Sequence, residues 1–186
     1  MIAVIFSMLM SVTNTLFIAD ATAEREFIVN RPESIVRSQI EDIQILWRNM
    51  PGVVAITENG EGRWLYQTER EMPFSDPVKT DFVLVREGNP GVTFQTPEAT
   101  ASNWMSFRLE TKSMADNRTL VKVRTRVRLV REEGGSIHVF APLLGESFIS
   151  DRMEDDLDSM LEIFGSNVRR EFETSSEMTT SADLEP

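Results

Sequence analysis

The chain has 186 residues, 41% hydrophobic and 26% charged, which is enough apolar material for one globular domain with a substantial core and too little length for two. A formal net charge of -11 excludes the basic field that a phosphate-gripping nucleic-acid binder needs. The absence of cysteine excludes disulfides, thiolate metal sites and thiol nucleophiles.

Residues Ile2 to Ala19 carry no charge, and Ala21-Thr22-Ala23 follows them with the small-x-small pattern of a signal-peptidase site. Three readings are open: a cleaved signal peptide over residues 1–23, an uncleaved membrane anchor that would give membrane association, or a start-site artefact. On the first, the protein is exported, to the periplasm or outside the cell, and the folded domain runs from Glu24 to Glu173. It opens on Glu26 to Asn30, a short β-rich run. Pro32 suits the first turn of a helix, and apolar residues at Ile35, Val36, Ile40, Ile43, Leu46 and Trp47 repeat at helical spacing over Glu33 to Arg48. Asn49-Met50-Pro51-Gly52 breaks that helix. Val53 to Glu58 and Arg63 to Glu71 flank Asn59-Gly60-Glu61-Gly62 as the arms of a hairpin.

Strand patterns then follow one another. Val78 to Arg86 alternates and ends at Gly88-Asn89-Pro90-Gly91, Val92 to Thr96 is short, and Trp104 to Lys112 sets Phe107, Leu109 and Thr111 against Arg108, Glu110 and Lys112. Leu120 to Arg131 has the clearest alternation, with Val121, Val123, Thr125, Val127 and Leu129 on one face and Lys122, Arg124, Arg126 and Arg128 on the other. A slip of one residue would bury four cations, so the register is fixed. A long amphipathic helix closes the series, from about Glu146 to Glu173, with an apolar stripe of Ile149, Met153, Leu157, Met160, Phe164 and Val168 widened by Phe148, Leu161 and Phe172. Asp151, Glu154, Asp155, Asp158 and Glu162 face the other way. From Glu146 onward there are 12 acidic and 3 basic residues, so most of the net charge belongs to this helix and the tail. Residues 174–186 are rich in Ser, Thr and acid and read as a disordered acidic tail.

A strand, a helical stretch leading into Trp47 to Val53 (WRNMPGV), a meander of strands and one long final helix resemble the helix-grip fold of the START, polyketide cyclase and Bet v 1-like superfamily. The passage Trp64 to Pro77 (WLYQTEREMPFSDP) is similar to the tyrosine-bearing strand and Pro-x-Ser-Asp turn of START-type lipid binders. Where those often continue with Arg-Asp, this chain has Pro77-Val78-Lys79, a departure that favours the wider cyclase and lipid-transport branch. The resemblance spans Glu26 to Glu173. It implies an α+β fold in which a curved antiparallel sheet wraps around the C-terminal helix, and an apolar cavity between them for a lipid, quinone, sterol or polyketide-like molecule, without a cofactor.

A sheet bent around one helix leaves concave space, the usual setting of ligand pockets. Alternation nominates Trp64, Tyr66, Phe82, Phe107, Leu109, Val123 and Val127 from the strands, and Met153, Leu157, Met160 and Phe164 from the helix. The bland reading of each is core packing, since large apolar residues are buried mainly for that reason. Glu69, Arg70, Asp81 and Tyr66 could supply acid–base chemistry if they point inward, but Glu69 and Tyr66 fall on opposite faces, so both line one cavity only if a bulge intervenes. No catalytic constellation stands out: His138 is the single histidine, in an apolar run, which reads as structural and rules out a histidine cluster for a metal. The carboxylates of the last helix read as a solvated face, because calcium needs a chain that wraps around the ion. The basic stripe Lys122 to Arg128 reads as an outer strand face paired with carboxylates. Binding or transport of a hydrophobic small molecule is the expected function; the alternatives are a cyclase or dehydratase-type enzyme and a pocketless interaction module tethered to a membrane.

Overall fold

The computed structural model describes residues 16–72, 75–88, 91–133, 135, 137 and 141–174; residues 1–15, His138 and residues 175–186 lie outside the described residues. Seven strands form one antiparallel sheet: β1 (Phe17–Val29), β2 (Val53–Glu58), β3 (Arg63–Met72), β4 (Ser75–Gly88), β5 (Val92–Gln95), β6 (Asn103–Met114) and β7 (Arg118–Arg131). Their order across the sheet is β1-β7-β6-β5-β4-β3-β2, so the first strand joins the last and the others follow as a meander. Three helices accompany them, α1 (Glu33–Ile40), α2 (Ile43–Arg48) and α3 (Ala141–Thr174).

The expected alternation of the last strand holds residue by residue. Val121, Val123, Thr125 and Val127 are buried, while Lys122, Arg124, Arg126 and Arg128 face outward. Those cations meet acids across the pair with β1: Lys122 lies 2.6 Å from Glu24, and Arg126 makes a two-pronged bond to Asp20 at 2.9 and 2.7 Å. Arg126 also sits over the Trp104 ring, and Arg128 donates to the Ala99 carbonyl. Two of the four cations of the stripe are thus ion-paired across to β1 on the convex side.

Two elements differ from the sequence expectation. The stretch Glu33 to Arg48 is two helices, because the Asp42 carboxylate accepts the Gln44 N–H at 2.9 Å and starts a fresh N-terminus, the position an aspartate prefers. The first strand begins at Phe17, ahead of Glu24, and Ala19, Ala21 and Ala23 are buried at 0 to 4% exposure beneath α3. Cleavage after Ala23 would therefore cut β1 in half. Among the described residues no helix is long and apolar enough to cross a membrane.

The last helix starts with a short piece up to Gly145, whose φ of 81° and ψ of 170° break the run, and continues unbroken from Glu146, where its start is expected. Ile149, Met153, Leu161, Phe164, Val168 and Phe172 are buried, as the stripe requires, and Leu157 and Met160 are half-buried. Phe148 departs from that stripe at 48% exposure. This helix also covers the free edge of β1: Glu146 accepts from Ile18 N at 2.7 Å, Ser150 from Asp20 N at 3.2 Å and Glu173 from Asn30 N at 2.9 Å. At the start of β1 and just past its end, α3 thus occupies N–H groups that an edge strand would otherwise offer to another chain.

Candidate functional site

The concave face of the sheet is divided by Trp47. Packed from α2 against the sheet, its indole lies 4.5 Å from the Tyr66 ring, 5.6 Å from Phe94 and 5.1 Å from Phe107. On the far side of that plug the interior is solid. Phe107 meets Phe164 edge to face at 5.6 Å, Phe164 meets Phe27 at 6.2 Å, and Trp64 packs on Phe94 at 5.9 Å. Trp64, Phe107, Leu109, Val123 and Phe164, all nominated for the cavity, belong to this filled half. The reason is steric: the sequence reading left Trp47 out of the concave face, and a tryptophan fills the space that those side chains would otherwise have bordered.

On the near side a cavity of about 370 Å³ is left between β3, β4, β6 and β7 and the middle of α3. Tyr66, Phe82, Val127, Met153, Leu157 and Met160, nominated from alternation alone, all line it, together with Met105, Leu129, Ile137 and Ile163. The walls are graded by register. Along β3 the inward residues run Tyr66, Thr68, Arg70, paired with Phe82, Thr80, Val78 on β4, and on β7 they run Val127, Leu129, Arg131. Each two-residue step is about 7 Å. Apolar groups and one phenol therefore form the floor, two threonines the middle and cations the mouth.

The polar groups have unequal partners. Arg70 is ion-paired with Asp156 of α3, which also lies 3.5 Å from Arg152. Glu69 is 3.4 Å from Lys79. It borders the cavity beside Pro51 and Gly52, on the same site as Tyr66, next to a register shift in β2 between Val53 and Ala55 that faces Thr68 and Gln67. β3 itself keeps an unbroken register with β4 from Arg63 to Arg70, so Glu69 stays on the face opposite Tyr66 and touches the site from its rim beside Gly52. Arg131 donates to the carbonyls of Val130 at 2.8 Å and Ser102 at 3.3 Å, and among the described residues it has no carboxylate partner. Burial pulls its guanidinium below the ordinary value. Tyr66, 1% exposed, has its phenol pushed up by burial, and its hydroxyl has no hydrogen-bond partner among the described residues.

Sequence reasoning passed over Thr68, Thr80 and Arg131 because they are polar, although each sits two or four residues from a nominated one and shares its face; Arg70, weighed for acid–base chemistry, shares that face too. Among the described residues no cluster of three His, Asp or Glu is placed to hold a metal ion.

A curved antiparallel sheet gripping one long C-terminal helix, with space between them, is the helix-grip fold, of the α+β class. Solved structures share it. The chain is similar to the Zhui aromatase/cyclase from Streptomyces sp. R1128, with a TM-score of 0.58 at 16% identity over 83% of this chain and 94% of that one. It is similar to a START superfamily protein from Mycobacterium smegmatis, with a TM-score of 0.56 at 11% identity over 83% of this chain and 99% of that one. A protein of unknown function from Staphylococcus aureus gives a TM-score of 0.58 at 10% identity over 86% and 98%. At these identities the likeness speaks for the fold. No family model matches the chain, and no curated protein does.

Proposed function

We propose that the protein binds, and carries or presents, a hydrophobic small molecule in the cavity between sheet and α3. The observation that carries this reading is the space itself: about 370 Å³, walled mainly by Phe82, Met105, Val127, Leu129, Met153, Leu157 and Met160. That volume is within the usual range of small-molecule sites, roughly 300–1,000 Å³. Methionines at three of those positions suit a ligand of irregular outline, because an unbranched thioether adapts its shape. Helix-grip neighbours described as START-like or as aromatase/cyclases lend support at the level of fold.

The test is native mass spectrometry and solvent extraction of the protein purified from its own host. A defined apolar molecule in near-stoichiometric amount is expected from the wild type, and its loss from Val127→Trp, which fills the floor. Empty wild-type protein that also fails to take up an apolar dye would count decisively against carriage.

A second reading, a cyclase or dehydratase-type enzyme, draws on the polar residues in the same cavity, Tyr66, Glu69 and the Arg70–Asp156 pair. A group that moved protons there would have to come from these. Turnover of an extracted ligand by the wild type but not by Tyr66→Phe or Glu69→Gln would favour it over carriage.

A further inference from the structure

The charged residues lining the cavity, Arg70, Arg131, Glu69 and Asp156, balance in sign but not in pairing. At the mouth Arg70 is matched by Asp156 and Glu69 by Lys79, whereas Arg131, the last residue of β7, has only two backbone carbonyls and no carboxylate among the described residues. Of the two cations that line the cavity, Arg131, half-buried and held by neutral acceptors, is the one without a carboxylate at ion-pair distance among the described residues. At the floor the Tyr66 ring is fixed between Trp47 and Phe82, at 4.5 and 6.1 Å, and its hydroxyl is unpartnered among the described residues although the side chain is almost wholly buried. The hydroxyl is not sealed off from the cavity, so a partner there can reach it. Both polar groups are held in place by their surroundings, and both lack a partner of the kind they would take. Between them the wall is Leu129, Val127, Leu157 and Met160.

Resting on the reading that the cavity holds a hydrophobic molecule, we propose that its ligand is polar at both ends: an acidic group lies against Arg131 at the mouth, and a hydrogen-bonding oxygen, hydroxyl or carbonyl, reaches Tyr66 at the floor, with an apolar chain or ring system between. A neutral sterol or a simple hydrocarbon would leave both ends unmet. A molecule with an acid and a distal oxygen, separated by on the order of 10 Å, meets each with a partner of the right chemistry.

The experiment uses the full chain and four probes: decanoic acid, ω-hydroxydecanoic acid, the methyl ester of the latter, and decanol, with affinities read by competition against an apolar fluorescent dye. In the wild type the hydroxy acid is expected to bind about tenfold more tightly than decanoic acid and at least tenfold more tightly than its ester, the fold-changes of one neutral and one charge-assisted hydrogen bond. Tyr66→Phe should abolish the first preference and leave the second. Arg131→Gln should abolish the second and leave the first, and Arg131→Lys should restore part of it. Circular dichroism and a thermal melt establish that each variant is folded, and if Arg131→Gln is not, Arg131→Lys and the ester comparison in the wild type still decide. Equal binding of all four probes overturns this proposal and leaves the cavity reading intact. Failure of every probe and of the dye overturns both.

Discussion

Where α3 crosses β1, a Cβ on Gly165 would lie 2.9 Å from Cδ1 and 3.2 Å from Cγ of Phe27, a ring already fixed against Phe164. Alanine gains about 1 kcal/mol of helix propensity over glycine. The overlap costs more, about 1–3 kcal/mol, because Phe27 cannot turn without disturbing Phe164. Gly165→Ala is therefore expected to destabilise by up to about 2 kcal/mol net, read as a lower urea midpoint. Gly91→Ala should cost more, because its φ is +85° and the new Cβ would overlap the Leu109 carbonyl oxygen, which is backbone and cannot swing away. Tyr66 offers a test with a built-in probe, since it is the only tyrosine in the chain. Burial favours its protonated form, so the folded phenol titrates above the ordinary value of about 10. The sign follows: the contribution to stability is complete below about pH 10 and is lost as pH rises towards the folded value, at up to about 1.4 kcal/mol per pH unit. Phenolate absorbance should stay absent in native protein at pH values where the urea-unfolded chain has already titrated; a native midpoint near that of free tyrosine would refute the burial. Tyr66, Phe82 and Val127 were legible as cavity residues because a strand alternates, and the same period runs on to Arg70 and Arg131. Polarity hid Arg131, since a charge on a concave face contradicts the binary pattern unless a site needs it, whereas Arg70 was legible as an acid–base candidate. Trp47 was read as one apolar position in a helical repeat; its reach into the sheet is a tertiary fact with no signal in spacing.

The chief partner of α3 is β1, and the two run side by side. Glu146 meets Ile18, Asp158 lies 3.4 Å from Arg25, and Glu173 meets Asn30. From Ile18 to Asn30 a strand advances about 40 Å, and from Glu146 to Glu173 a helix advances the same distance. Their lengths are matched, and the alanines at 19, 21 and 23 are small where the helix comes close. The same alanines compose the small-x-small pattern that suggests a cleavage site, because a short side chain satisfies a peptidase pocket and a tight helix–strand contact equally. A chain starting at Glu24 would lose the Asp20–Arg126 bond and the strand that pairs with Arg131 to Thr125. Such a chain is expected to express as insoluble or molten protein, whereas the full chain melts cooperatively; equal thermal melts for the two would show that the first half of β1 is dispensable. The far end is held by Arg31, whose guanidinium donates to the carbonyls of Phe172 at 3.0 Å and Glu173 at 3.1 Å, two of the free acceptors at a helix C-terminus. The strands from β2 to β7 and the main body of α3 lie close to where the alternation and the apolar stripe put them. The division of α1 from α2 depended on one cap, Asp42, in a sequence whose apolar period runs straight through it.

At the scale of the whole molecule, the cavity ties stability to occupancy. The core on the Trp47 side is solid, while the other half leaves about 370 Å³ under the middle of α3. Side chains facing empty space lack the dispersion contacts of a filled interior, so the strands on that side and the helix above them gain most when a molecule enters. A ligand that binds only the folded state stabilises it by about 2.7 kcal/mol at a hundredfold excess over its Kd. For a chain of this size each kcal/mol moves Tm by about 2–4 °C, so removing the ligand should lower Tm by roughly 5–10 °C. Protein stripped by solvent extraction and refolded should melt lower by that amount and recover when the extract is returned. Val127→Trp separates occupancy from damage: with the floor filled, its melt should not respond to stripping or to the extract. A wild type whose Tm ignored both treatments, in protein shown by mass spectrometry to be first loaded and then empty, would mean that the molecule rides on the surface and that the cavity is only a packing defect. The outer acidic row of α3 does not enter this balance, because it faces water on the side away from the cavity. The proposed ligand would be read by the inner row and by Tyr66 and Arg131.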